Sequence, residues 1–351
     1  MFVLPYPCME RKHHFDKITG TTPKKITEAH EGFEYIHNIR SKILSPYDTP
    51  KTPEEIEYIQ QIEKVVDEIV TSYGGKIKEI PIDNIYIVNP GDIEKASEGQ
   101  QTNGISYVER SDIGVERRDS KLSFASTLAH EMFHVKAFRS AKIDDAHPIA
   151  YTYRAGITLT DTKTPVLEDE KNRIYFAPLE EAIVTECARK ALEKLSTQES
   201  FKEEYDAVKK IIGWVSGDAE KRGERKQAID WLKREVKYIP GAVEKVKLIE
   251  AQPEHNRDMY ARRIFDTLYD QRNIEVFERT DERIAFYTLL DEIIKKSDGK
   301  FKTHDELFGL FAHAQFSGNY LPLARTVEEV LGEGAFRKIA EEFTYKPKNN
   351  S

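Results

Sequence analysis

Residues 127–138 read Thr127-Leu128-Ala129-His130-Glu131-Met132-Phe133-His134-Val135-Lys136-Ala137-Phe138. Apolar residues (Phe124, Leu128, Ala129, Met132, Phe133, Val135, Phe138) cover most of the circumference of a helix drawn through this stretch, so the helix is expected to be buried. His130 and His134 are one turn apart. At about 100° per residue, positions i and i+4 lie about 40° apart, and both imidazoles leave the same face. Two neutral ring nitrogens can then share one Zn²⁺ at about 2.0–2.1 Å. Glu131 stands on the neighbouring face, near such a metal without binding it, and is placed to take a proton from activated water. Two histidines and a carboxylate inside an apolar helix are costly without partners. A buried helix whose histidines only satisfy backbone carbonyls would leave Glu131 unexplained.

Upstream of this stretch the chain is rich in strand signals. Ile85-Tyr86-Ile87-Val88 reads as a strand, 104–108 as a second, and Ile113-Gly114-Val115 as a third after a turn at Arg110-Ser111-Asp112. Asp119-Ser120 opens the helix, which the pattern carries from Leu122 to Ala141. Further back, Thr52-Pro53-Glu54-Glu55 has an N-cap, a proline at the first helical position and a capping-box glutamate. Ile59, Ile62, Val65, Val66 and Ile69 then recur at helical spacing until Gly74-Gly75. A helix over 27–43 lies between two proline-containing stretches.

Downstream, 151–159 and 173–176 read as a second β segment around a polar hairpin loop over 160–171. Pro178 opens a further helix to about Leu195. From 197 onward the pattern is helical with charged faces, at 201–215, 226–236, 242–249, 259–269, 281–295 and 303–316. The fold class is therefore α+β: a small mixed sheet with the histidine-bearing helix, then a mostly helical C-terminal domain. The expected division is an N-terminal extension over 1–50, a catalytic domain over 51–196 and the helical domain over 197–351.

Composition narrows the function classes. The chain has 351 residues, 53 Lys+Arg against 61 Asp+Glu, and a formal net charge of −8. That balance argues against a protein whose main task is to coat nucleic acid. The mixed-sign charges of 218–234 read as a solvated helix face. No apolar run approaches the roughly 20 residues that span a bilayer, so no membrane partner is expected. The apolar start is short, broken by Pro5 and Pro7, and precedes the basic residues, the reverse of a secretory signal. With two cysteines, Cys8 and Cys187, a cytoplasmic setting is expected.

The His130-Glu131-x-x-His134 motif, with strands before it and a hairpin and glutamate-bearing helix after it, resembles the zincin metallopeptidases in their gluzincin branch. The resemblance covers roughly 80–195, and a helical C-terminal part is common in that branch. It implies a zincin-like catalytic domain that holds Zn²⁺ through His130, His134 and a Glu from the later helix. Other branches fit less well. Metzincins extend the motif to a Gly and a third His, where this chain has Ala137 and Ser140. Aspzincins use a downstream Asp; Asp145 is at about that distance, but the flanking pattern is missing. His147 reads as a surface-loop residue.

Glu180, Glu181 and Glu186 compete for the place of the third ligand. On a helical wheel Glu186 clusters with Arg189, Lys190 and Glu193, a face expected to meet solvent. Glu180 and Glu181 share the other side with Val184, Cys187, Ala188 and Ala191, and the wheel barely separates them. The resemblance favours Glu181. Gluzincins carry an acidic residue one turn after the ligand to hold a motif histidine. One turn after Glu181 is Thr185, which can still hydrogen-bond; one turn after Glu180 is Val184, which cannot. Thr185 is not acidic, a departure from the family pattern.

The resemblance also implies an edge strand that binds extended peptide beside the motif helix. Asn103, Gly104, Ile105 and Ser106 are its candidates here. An electrophile for the oxyanion would come from beyond the third ligand, with His304, His313 and Tyr320 as candidates. The expected function is that of a zinc-dependent peptidase acting on peptide or protein substrates. Its rivals are a zinc hydrolase of another substrate and a non-catalytic helical interaction protein.

Overall fold

The computed structural model describes residues 15–19, 43–97, 102–108, 111–142, 151–161, 173–221, 239–272 and 280–345. A short strand, β1 (Lys17–Thr19), precedes the first long helix, α1 (Pro53–Ser72). The Thr52 hydroxyl accepts from the Glu55 N–H, and the Glu55 carboxylate accepts from the Thr52 N–H. This capping box satisfies donors that a helix start leaves free. Ile59, Ile62, Val66 and Ile69 form the buried stripe of α1. The chain leaves the helix through Gly74 at φ +79°, a conformation glycine adopts without steric cost.

Two small sheets follow. In the first, β2 (Ile85–Val88) runs parallel to β4 (Asp112–Glu116), and β3 (Gly104–Tyr107) runs antiparallel to β4 on its other side. A short helix, α2 (Asp92–Ala96), lies between β2 and β3. The central strand β4 is buried along its whole length, whereas β3 is an edge among the described residues. Helix α3 (Lys121–Lys136) starts at Ser120, whose hydroxyl accepts from the Ser123 N–H. As its apolar circumference predicts, it is buried on nearly all sides, and it packs against α1, β3 and β4.

Helix α3 stops at Lys136, five residues before the end expected at Ala141. The chain becomes β5 (Arg139–Lys142) instead. Tertiary partners cause the break. Lys78 Nζ donates to the Ala137 carbonyl, Phe138 N–H donates to the Gln315 carbonyl, and Arg139 N–H donates to Asp16 Oδ2 at 2.9 Å. Those groups satisfy the backbone in extended form better than another helical turn would. The second sheet then continues through β6 (Tyr151–Ala155), β7 (Thr158–Asp161) and β8 (Arg173–Tyr175). Its order is β1-β5-β6-β7-β8-β9, with β1 parallel to β5 and the other pairs antiparallel.

Helix α4 (Ala177–Leu195) follows with Pro178 in its first turn and packs along α3. The rest is helical: α5 (Glu199–Lys221), α6 (Ala242–Glu250), α7 (Arg257–Arg272), α8 (Thr280–Lys296), α9 (His304–Ser317), α10 (Leu321–Leu331) and α11 (Ala335–Glu342). The two-residue β9 (Thr344–Tyr345) closes on β8. The helices expected over 27–43 and 226–236 and most of the 160–171 loop lie outside the described residues. The architecture is thus mixed α and β, with small mixed sheets and a run of C-terminal helices. A hydrophobic cluster joins α1, α3, α4 and the later helices through residues such as Ile62, Phe133, Ala188, Phe286 and Phe311. No helix among the described residues is long and apolar enough to cross a membrane.

Candidate metal centre

Helix α3 presents His130 and His134 from one face, with ring centroids 4.8 Å apart and Nε2 atoms 3.1 Å apart. Helix α4 runs alongside and supplies Glu181. Its Oε2 lies 3.4 Å from His130 Nε2, and its Oε1 lies 3.7 Å from His134 Nε2. One donor atom from each of the three side chains falls within 4.8 Å of the others. Ligands about 2.0–2.2 Å from a tetrahedral ion stand about 3.3–3.5 Å apart, so nitrogen and oxygen donors at these separations fit one ion. The side chains of His130, His134 and Glu181 are 21%, 13% and 25% exposed, which leaves a solvent-facing side for a further ligand.

The charge balance points the same way. Burial opposes a proton on His134, but the Glu181 and Glu180 carboxylates outweigh it and hold the imidazole well above its ordinary pKa. A cation bound to the three donors would take the place of that proton.

Glu180 and Glu181 have different tasks. Glu180 Oε1 lies 3.3 Å from His134 Nδ1, on the side of the ring away from His130. The same oxygen accepts from Gln315 Nε2 at 3.0 Å, and Oε2 accepts from the Thr158 hydroxyl. Helix α4 thus directs one carboxylate at the donor set and the preceding one at the back of a donor. The two therefore do not compete for one role. The expected histidine partner one turn after the ligand is corrected as well: the Thr185 hydroxyl is buried with no hydrogen-bond partner among the described residues, and Glu180 stands at the ring instead. Glu186 is a second correction. It is 4% exposed rather than solvent-facing, because α8 packs over that side of α4. There its carboxylate takes a 2.6 Å ion pair from Arg189 and hydrogen-bonds Tyr287, whose hydroxyl is pushed to a higher pKa by burial and by Glu186.

Glu131 is 8% exposed and points at β3. A Cβ placed on Gly104 would lie 2.6 Å from Thr127 Cγ2 and 3.0 Å from Glu131 Oε1. The edge strand can approach the carboxylate this closely only because position 104 has no side chain. Asn103 caps the same strand. Its side-chain oxygen accepts from Arg118, and its carbonyl accepts from the Glu116 N–H at 3.0 Å. With Asn103 bonded to Glu116, the alternation of an antiparallel ladder turns the backbone groups of Gly104 and Ser106 away from β4, while those of Ile105 face Gly114.

None of the three electrophile candidates joins the donor set. His313 Nδ1 bonds the Tyr73 carbonyl at 3.0 Å, His304 pairs with Asp291 at 2.7 Å, and Tyr320 donates to the Ile157 carbonyl at 2.6 Å. Asp145 and His147 lie outside the described residues. Thr158 and Gln315 were missed from the sequence. A signal existed for Gln315 alone: an amide set among Phe311, Ala312, Ala314 and Phe316 has no apolar reason to be there.

Comparison of the chain with protein-family models, with curated proteins and with solved structures gives no match.

Proposed function

We propose that the chain is a zinc-dependent peptidase of gluzincin type, with a zincin-like catalytic domain built on β2–β4, α3 and α4. The observation that carries the reading is the convergence of His130 Nε2, His134 Nε2 and a Glu181 oxygen within 4.8 Å, beside a glutamate that stays outside the set. In this reading His130, His134 and Glu181 hold the ion. Bound there, zinc supplies Lewis acidity to a carbonyl and makes water nucleophilic near neutral pH.

The remaining chemistry belongs to the protein. Glu131 takes the proton from the attacking water and passes it to the departing amine. Its carboxylate lies against Gly104, so a peptide laid along β3 would run past the base. The outward backbone groups of Ser106, and those of Gly104 once they give up the Thr102 hydroxyl, would pair with that peptide as an added strand, which recognises the main chain. Asn103 and Arg118 hold the start of the strand in register. Substrate and site thus share one edge, which favours peptide over a compact small molecule.

The test is a digest of a peptide library by purified protein with added Zn²⁺, read by mass spectrometry. Cleavage that is lost on chelation and in Glu131→Gln supports the reading. Zinc binding without cleavage of any peptide would turn it toward another carbonyl substrate. A folded protein that binds no zinc would leave a non-catalytic interaction protein.

A further inference from the structure

Gln315 lies on α9, far along the chain from the histidines, and is fully buried. We propose that it is a positioning residue for the metal centre, acting through Glu180 on His134. The proposal rests on reading His130, His134 and Glu181 as a zinc site.

For His134 Nε2 to offer a lone pair to a metal, the ring proton must be on Nδ1. Glu180 Oε1, at 3.3 Å from Nδ1, is the acceptor that keeps it there. That carboxylate must itself be held. Thr158, at the start of β7, donates to one oxygen, and Gln315 Nε2 donates to the other at 3.0 Å.

The Gln315 amide has only one way round. Its Oε1 accepts the Ile157 N–H at 2.7 Å, so Nε2 must face Glu180. A flipped amide would set its NH₂ against the Ile157 N–H and its carbonyl against a carboxylate. The turn at Gly156 clamps it further. With φ at +56°, a Cβ there would lie 2.2 Å from Gln315 Oε1, so the backbone passes where no side chain fits. The main chain of the same residue accepts from Phe138 N–H at 3.0 Å, where the chain leaves α3. Gln315 therefore touches the exit of the histidine helix, the β6–β7 turn and the carboxylate behind the metal ligand. Charge-neutral donors suit the place. Each keeps Glu180 aimed without competing for the ion.

The experiment measures Zn²⁺ affinity by chelator competition and records the Co²⁺ d–d spectrum, with the metal-free melting temperature of each protein alongside. Gln315→Glu keeps the shape and the acceptor for Ile157 but removes the donor to Glu180. It is expected to weaken zinc about ten- to a hundredfold and to shift the cobalt spectrum. Thr158→Val should act in the same direction, and Thr158→Ser, which keeps the hydroxyl, should stay near wild type. If Gln315→Glu fails to fold, the Thr158 pair decides. Wild-type affinity in both Gln315→Glu and Thr158→Val would overturn the positioning role and leave the zinc reading intact. Equal losses in Thr158→Ser and Thr158→Val would also overturn it, by showing a packing effect. A folded wild-type protein that binds no zinc would remove the zinc reading, and this proposal with it.

Discussion

Two neighbouring glutamates on α4 have separable consequences at the scale of single residues. Glu181 offers its oxygens to the histidine nitrogens, whereas Glu180 stands behind His134 with its own donors. Zinc titration should therefore distinguish them. Glu181→Gln is expected to abolish tight binding, and Glu180→Gln to weaken it about ten- to a hundredfold with one ion still bound per chain. The reverse order would exchange their roles. Glu131 is separable in another way. Glu131→Gln keeps the volume but cannot accept the proton, so turnover should fall by at least about 10²–10⁴-fold while metal analysis still finds zinc. His130→Ala and His134→Ala should lose both. Near wild-type turnover in Glu131→Gln would mean that the base lies elsewhere.

At the scale of the element, the end of α3 depends on two lysines. Lys136 is fully buried, with Nζ 2.9 Å from Glu63 Oε1 and 2.8 Å from Asp67 Oδ1. It locks the histidine helix to α1. Lys136→Met would leave two carboxylates facing each other beside the core, at a cost of about 3 kcal/mol, readable as a lower urea midpoint. Lys78 is the other. Burial, then the Arg139 charge, push its pKa down to about 8 against its 2.7 Å bond to Asp16. Its folded pKa is lower than its unfolded value of 10.5. Between those values the unfolded chain binds more protons than the folded one, so this lysine makes stability rise with pH across the window. Below about pH 8 the cost of its buried charge is fully present. Urea unfolding at pH 7.5 and at pH 9.5 should show wild type gaining on Lys78→Met as pH rises. A constant difference would show that Lys78 keeps an ordinary pKa.

The whole molecule is tied together at the same place. The sequence pattern suggests a β-containing part ending near 196 and a helical part after it, and across that boundary α8 covers Glu186, α9 carries Gln315, and β9 pairs with β8 just before α4. Buried side chains of the later helices belong to the cluster that also holds Ile62 and Phe133. A chain ending at residue 196 should therefore expose the apolar faces of α4 that pack on α8 and α9. It is expected to show no cooperative urea transition and no stoichiometric zinc. A cooperative transition with zinc bound would establish the shorter piece as an independent domain.

Local chemistry was enough for several of these features. The capping box at Thr52 and Glu55 depends on groups three residues apart, and the His130–His134 spacing depends only on helical pitch, so both are properties of short segments. The apolar wrap of 124–138 implied burial, and the β-branched runs at 85–88 and 113–115 implied strands. Four decisions needed the rest of the molecule. A wheel gives the angle between Glu180, Glu181 and Glu186, but which angle meets α3, which meets Gln315 and which lies under α8 is set by how α4 is rotated in its packing. Helix α3 ends at Lys136 because Lys78, Gln315 and Asp16, all distant in sequence, satisfy the backbone groups of Ala137, Phe138 and Arg139 just beyond it. Helical pitch, readable in the chain, says which side chains one helix can present together. What each of them meets depends on how the helices pack, because a hydrogen-bond partner across a core is chosen by packing geometry, which leaves no periodicity in the chain to be read.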